Sequence, residues 1–239
     1  MTDNSQLNIE NKNEIIPGLT VVLLDNSGTR NAERSRHTKK FIIDYIDEAK
    51  QFRPNERICF ISFGTRLHVY GDFSNEFKEK FGEIDEFICS DKIYQLAHKI
   101  VETKIQPIGE SHRNITGLDD IINDNGGLCT LGRAVLLGFS IIARTGGKIM
   151  LFSDGINTHG FDQLSAVNMS RKQLNLRENC IQRQQEGNTE TVDFEVYAFD
   201  DTVQHLQTII NFAMSEFNSE VHLFEYDRQR EQRLQMDDN

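Results

Sequence analysis

Five oxygen-bearing side chains stand beside apolar runs in a spacing that could bind a cation. Asp25 and Asp154 each come at the end of an apolar run, where a buried strand is predicted to stop. Ser27 and Thr29 follow Asp25 closely, and Thr130 comes directly before a predicted helix. Because the carboxyl ends of parallel strands meet at one edge of a sheet, we expect these side chains to converge. Their carboxylate and hydroxyl oxygens favour Mg²⁺, which takes hard oxygen ligands in near-octahedral geometry.

A pocket of this composition predicts binding rather than catalysis. Hydroxyl ligands are neutral, so a bound ion would keep net positive charge and could accept an acidic side chain of a partner. The same residues also fit a simpler interpretation, because Asp, Ser and Thr cap helices and close turns by bonding to nearby backbone groups. Asp154 before Gly155 is typical of a turn in the same way. The residues alone leave both interpretations open.

The elements around these residues are predicted to alternate between strands and helices. Residues 19–25 form an apolar run without polar alternation, which is typical of a strand buried on both faces. Apolar residues at helical spacing over 30–50 predict a helix directly after the loop. This alternation predicts an α/β fold with a doubly wound, mainly parallel central sheet, one antiparallel edge strand at 66–70 and helices on both faces. Further strands are predicted at 57–63, 148–153, 192–199 and 221–226, and further helices at 74–81, 92–103, 131–143, 162–183 and 202–217.

Composition and charge limit the domain organisation and the kinds of partner that the sequence allows. Residues 17–227 are predicted to form one domain, between a flexible polar lead at 1–16 and a polar tail at 228–239. The net charge of -11 argues against nucleic acid or an anionic membrane as the main partner. Four cysteines lack the spacing of a zinc site, which predicts free thiols in a reducing compartment. Without a signal-peptide pattern or an apolar run of membrane-spanning length, we expect a cytoplasmic or other intracellular protein with no transmembrane segment.

Two loops and the order of elements resemble a known family, the von Willebrand factor A domains. The loop DNSGT at 25–29 resembles the DxSxS-type metal loop of that family, and Asp154-Gly155 resembles its third metal-site loop. The segments NERICFISFGTRLHVYG and TGGKIMLFSDGINTHG are most similar to the trunk domain of COPII inner coat subunits. The resemblance implies a Mg²⁺-dependent adhesion-type site with Asp25, Ser27, Thr29, Thr130 and Asp154 as ligands.

One position departs from the family pattern in the second metal-site loop. Metal-binding members carry a Thr where this chain has Cys129, and Thr130 stands one residue late. The loop therefore resembles the degenerate version found where the metal site has decayed. The zinc-finger, β-barrel, helical and gelsolin-like parts of the coat subunits have no counterpart in this sequence.

An enzyme is the alternative class. The segment VVLLDNSGT also resembles the nucleophile loop of haloacid-dehalogenase-type phosphatases, with Asp25 as nucleophile and Asp200 or Asp201 holding Mg²⁺. That loop needs a second Asp as general acid and base, and Ser27 in its place cannot carry the proton near neutral pH.

The sequence therefore predicts a non-catalytic interaction or scaffold module, bound to other protein subunits of a larger intracellular complex. The contact surface is expected at the edge formed by Asp25, Thr130 and Asp154, or at the strand at 66–70. A phosphatase is one alternative function, and a COPII-coat-like trafficking subunit is a second. Proteasome-receptor and cytoskeletal or organellar assemblies are further settings that the sequence does not separate.

Overall fold

A computed structural model of the chain describes residues 19–27, 32–64, 67–70, 79–80, 129, 131–155, 192–199, 203–217 and 219–226. These residues form seven strands and three helices. The strands are β1 (Leu19–Asp25), β2 (Arg57–Phe63), β3 (Leu67–Tyr70), β4 (Glu79–Lys80), β5 (Lys148–Phe152), β6 (Asp193–Phe199) and β7 (Glu220–Tyr226). The helices are α1 (Ala32–Phe52), α2 (Leu131–Thr145) and α3 (Val203–Phe217).

All seven strands belong to one sheet with β1 near its centre. The order is β4-β3-β2-β1-β5-β6-β7, and β2, β1, β5, β6 and β7 are mutually parallel. Parallel strands separated by helices are the pattern of an α/β fold, so the predicted fold class is confirmed at that level. The two remaining strands, β3 and β4, pair antiparallel beside β2. The antiparallel strand predicted at the edge of the sheet is β3. It is the second strand of the described sheet, because β4 lies outside it.

Residues 79–80 differ from their prediction, because they pair as β4 where a helix was expected over 74–81. Pairing with β3 satisfies backbone groups that an edge strand would otherwise leave open, and this non-local gain overrides a weak helical pattern. The rest of 74–81 and the helices predicted at 92–103 and 162–183 lie outside the described residues. The other described elements begin and end within two residues of their predicted bounds.

The sheet is covered on both faces, because the side chains of each central strand point alternately to opposite sides. All seven residues of β1 are buried, with Val22 and Leu24 on the face that packs against α1. Val21 and Leu23 point to the opposite face, in the cluster that contains the buried side chains of α2 and α3. None of the helices in the described parts of the chain is long and apolar enough to cross a membrane.

The turn between α2 and β5 depends on a glycine pair. Gly146 and Gly147 have positive φ values of 70° and 120°. A Cβ on Gly147 would lie 2.1 Å from the carbonyl oxygen of Leu19, so only glycine allows β5 to approach the start of β1 this closely. The turn sets β1 and β5 in the register that pairs Leu24 with Phe152.

Candidate functional site

The carboxyl ends of β1 and β5 lie side by side at one edge of the sheet. Asp25 is the last residue of β1, and Ser153 and Asp154 follow β5 directly. The hydroxyl of Ser153 donates a hydrogen bond of 2.7 Å to Oδ2 of Asp25, across a sequence separation of 128 residues. We call Asp25, Ser27, Ser153 and Asp154 the carboxylate rim; all four are buried.

The Asp25 carboxylate is held by donors from three segments of the chain. Oδ1 accepts the backbone N–H of Ser27 at 2.9 Å, which closes the turn after β1. Oδ2 accepts the Ser153 hydroxyl and also contacts the Cys129 thiol, whose sulfur lies 3.7 Å away. Cys129 comes just before α2, so the loop before that helix reaches the rim. Both carboxylate oxygens of Asp25 are therefore already engaged within the chain.

Burial dominates the electrostatics of Asp25, which is 3% exposed. Removal from water raises the pKa of this carboxyl, because the charged form loses its hydration. Hydrogen bonds from Ser27 and Ser153 act in the opposite direction, and the neighbouring Asp154 charge adds to the increase. Raised carboxyl pKa values of this kind are concentrated at functional sites, where binding rather than stability decides the residue type.

Asp154 is paired with a cation of α1. Nη1 of Arg34 lies 3.3 Å from Oδ2 of Asp154, and the two side chains are 18% and 4% exposed. The loop that carries Asp154 also packs against α3, since a Cβ on Gly155 would lie 2.8 Å from Cβ of His205. The backbone N–H of Gly155 donates to the Ser153 hydroxyl at 3.1 Å, which fixes this hydroxyl in its contact with Asp25.

Cys129 acts here as a protonated thiol. Burial raises its pKa, and the nearby charge of Asp25 raises it further, since both disfavour the thiolate. A protonated thiol is a weak donor, which fits its contact with the Asp25 carboxylate. Its soft sulfur atom lies beside the hard oxygens of the rim.

The structure brings together three of the five predicted ligands. Asp25, Ser27 and Asp154 meet at the rim, whereas Thr29 and Thr130 lie outside the described residues. Asp200 and Asp201, the metal-binding residues of the phosphatase alternative, lie outside them as well.

The sequence interpretation missed Ser153 and Arg34. Ser153 directly precedes a strand-end Asp, a position from which a short side chain can reach the neighbouring strand. Arg34 lies in the first turn of α1, where the helix dipole disfavours a positive charge. The predicted helix began at residue 30, which placed Arg34 beyond its first turn and hid this signal.

The contacts of Asp25 and Asp154 bear on whether the rim could hold Mg²⁺. Among the described residues, no group of three or more His, Cys, Asp or Glu side chains is arranged to hold a metal ion. A cation at Asp154 would compete with the Arg34 guanidinium, and one at Asp25 would share its oxygens with the donors Ser27 and Ser153. A site of two carboxylates and hydroxyls would not form such a group, and Thr29 and Thr130 lie outside the described residues, so a magnesium site stays a prediction.

Comparison with known proteins gives neighbours in structure but not in sequence. No protein-family model matches the chain, and no curated protein matches it. The chain is similar to proximal thread matrix protein 1 from the mussel byssus, at 13% identity and a TM-score of 0.44, covering 87% of this chain and 43% of that one.

Two bacterial surface proteins give similar values. For the pilus adhesin SpaC from Lactobacillus rhamnosus GG in its open conformation, the identity is 8%, the TM-score 0.45 and the coverage 94% of this chain and 30% of that one. The PilB minor pilin from Streptococcus sanguinis is 12% identical, with a TM-score of 0.47. The similarity covers 92% of this chain and 60% of that one. The chain therefore spans less than two thirds of each of these proteins, and likenesses at this level say nothing about what it binds.

Proposed function

We propose that the chain is a non-catalytic, von Willebrand factor A-type interaction module that binds another protein subunit through the carboxylate rim. The observation that carries this proposal is the hydrogen bond between Ser153 and Asp25, which joins the ends of two core strands at one edge. Open α/β sheets place their binding sites at this edge. The family assignment itself rests on the loop sequences at 25–29 and 154–155.

The chemistry of the rim supports binding over catalysis. A phosphatase of the alternative class would need Asp25 as a free nucleophile and an acid or base two residues later. Asp25 accepts hydrogen bonds at both oxygens, and Ser27 stands in the position of the proton-transfer residue. A serine hydroxyl does not exchange a proton near neutral pH, so the rim is better suited to holding a partner than to turning over a substrate.

The charge of the chain favours a basic partner surface. The net charge is -11, so the chain as a whole carries negative potential at neutral pH. Complementary charge speeds encounter between proteins, and this effect weakens as salt screens it. We therefore propose an intracellular protein complex as the setting, with a coat-like trafficking complex as one form of it.

Affinity capture with matched variants tests this proposal. The wild-type chain, Asp154→Asn and Asp44→Asn are used as baits, since Asp44 is exposed on α1 away from the rim. We expect one set of proteins to be retained by the wild type and Asp44→Asn, and lost with Asp154→Asn. Equal retention by all three baits would contradict the rim as the contact surface. Hydrolysis of p-nitrophenyl phosphate with Mg²⁺, abolished by Asp25→Asn, would instead establish the phosphatase.

A further inference from the structure

We propose that Arg34 is the resident counter-cation of the carboxylate rim, holding the position of a metal ion so that the rim works without Mg²⁺. The inference deepens the proposed function, because it describes how the charge of the same rim is balanced. It rests on that function only because it treats the rim as a binding surface. The residues concerned are Arg34, Asp154, Cys129 and Asp25.

The first support is the Arg34–Asp154 contact itself. A guanidinium nitrogen lies 3.3 Å from a carboxylate oxygen, and the contact joins residues 120 positions apart in the sequence. Both side chains are largely removed from solvent, at 18% and 4% exposure. Removing one member of such a pair leaves the other charge buried and uncompensated. Asp154 therefore has its compensating charge from within the chain.

The position of Arg34 in its helix is the second support. The first turn of a helix carries partial positive charge, and a cation there lowers helix stability. An arginine in the first turn of α1 is therefore not explained by the stability of that helix. The contact of Arg34 with Asp154 explains this arginine. The Asp154 carboxylate at the start of α1 is stabilised by both the helix dipole and the guanidinium.

The donors around Asp25 give the third support. Mg²⁺ prefers hard oxygen ligands, and the loop before α2 presents the Cys129 sulfur beside Asp25, which makes the rim a weaker site for the ion. The Asp25 oxygens accept hydrogen bonds from Ser27 and Ser153, which leave fewer lone pairs for an ion than a free carboxylate offers. An arginine in place of the ion gives a permanent charge, since a guanidinium does not lose its proton at any physiological pH.

Thermal melting with and without Mg²⁺ tests the inference on the purified full chain. Arg34→Gln removes the guanidinium, and Arg36→Gln is the matched control because Arg36 is exposed on the same helix. We expect about 10 mM Mg²⁺ to leave the Tm of the wild type and of Arg36→Gln unchanged. Arg34→Gln should melt lower in EDTA, and its Tm should rise by about 3–6 °C when Mg²⁺ is tenfold above its Kd.

Each other outcome overturns the inference. A Mg²⁺-dependent rise in the wild-type Tm would show that the ion and Arg34 do not exclude each other. An equal response of Arg34→Gln and Arg36→Gln would show that Arg34 does not keep the ion out. If Arg34→Gln is unfolded in EDTA, its helical circular dichroism should recover with Mg²⁺, and absence of recovery contradicts the inference. None of these measurements involves a partner, so their failure is distinct from failure of the capture experiment.

Discussion

At the residue scale, the buried Asp25 carboxylate opposes the stability of the fold that contains it. It is buried at the end of β1, and the three donors around it compensate only in part for the water it has lost. A carboxyl with a raised pKa makes the folded state less stable when it is ionised. We interpret this loss of stability as the consequence of an acid at the rim. An apolar residue at the same position would pack without the desolvation penalty.

Asp25→Asn should remove a pH-dependent part of the free energy of unfolding. Between the ordinary Asp pKa of 3.8 and the raised pKa of Asp25 in the fold, the folded chain binds more protons than the unfolded chain. The stability contributed by Asp25 is therefore highest at low pH and falls as pH rises through this window. The stability of the wild type relative to Asp25→Asn should thus decrease with rising pH.

Urea unfolding of both proteins from about pH 4 to pH 7 measures this difference. Asp44→Asn is the control, because Asp44 is exposed on α1. A difference between wild type and Asp25→Asn that is constant with pH would contradict the raised pKa.

At the scale of elements, α1 is fixed to the sheet at both ends by polar contacts. Arg34 binds the rim at its start, and Tyr45 near its end donates to the Glu56 carboxylate that precedes β2. The same carboxylate accepts the Thr20 hydroxyl at 2.7 Å and Nε of Arg53 at 2.7 Å. Glu56 is buried and receives donors from β1, α1 and the turn between α1 and β2, so it links three elements.

Glu56→Ala should lower the free energy of unfolding by about 1–3 kcal/mol, because Thr20 and Tyr45 can then bond only to each other, which leaves one hydroxyl donor without an acceptor. Glu48→Ala is a matched control, since Glu48 also accepts from Arg53 but is 58% exposed. An exposed pair of this kind contributes about 0–1 kcal/mol. Equal losses for the two variants in urea unfolding would contradict the anchoring role of Glu56.

Gly147→Ala should destabilise the chain by at least about 2 kcal/mol, because it combines a strained backbone with a steric clash. Its φ is 120°, and a Cβ there would lie 2.1 Å from the backbone of Leu19. Gly138→Ala is the comparison inside α2, where the nearest atom to a new Cβ is a Leu23 methyl at 3.4 Å. That variant should stay within about 1 kcal/mol of wild type, since Ala is the better helix former. Similar Tm values for both variants would contradict the close approach of β5 and β1.

Sequence patterns were sufficient for the elements whose signals are local. The apolar runs of β1 and β2 predicted both strands with their observed bounds, and helical spacing predicted α2 to within two residues at its end. β4 was missed because its two residues are a strand only through pairing with β3. The rim was predicted in part, since a strand-end Asp is visible in the sequence. The Arg34 contact was not, because it joins segments that only the folded sheet brings together.

For the whole molecule, the position of each strand in the sheet should set its resistance to local opening. β1 is paired on both sides, with β2 and with β5, and all its residues are buried. β7 is paired on one side within the described sheet, and Leu223 and Phe224 are 38% and 46% exposed. Opening β1 requires breaking the core, whereas β7 can separate at lower cost.

Native-state hydrogen exchange should therefore be slowest for the amides of β1 and β5 and faster for those of β7. The central amides are expected to exchange only through global unfolding, so their protection should fall in parallel with added denaturant. Peptide-resolved mass spectrometry measures both strands in one sample. Equal protection of β1 and β7 would contradict a sheet with β1 at its centre.

The place of β1 in the sheet also has a consequence for synthesis on the ribosome. β1 is made before both of its neighbours, and one of them, β5, follows only at Lys148–Phe152. Until then a nascent chain can pair β1 with β2 alone, which leaves one apolar strand edge open during translation of the intervening residues. Long-range parallel pairing is slow and exposes such edges to aggregation. The nascent chain is therefore expected to depend on chaperones more than its final stability would indicate.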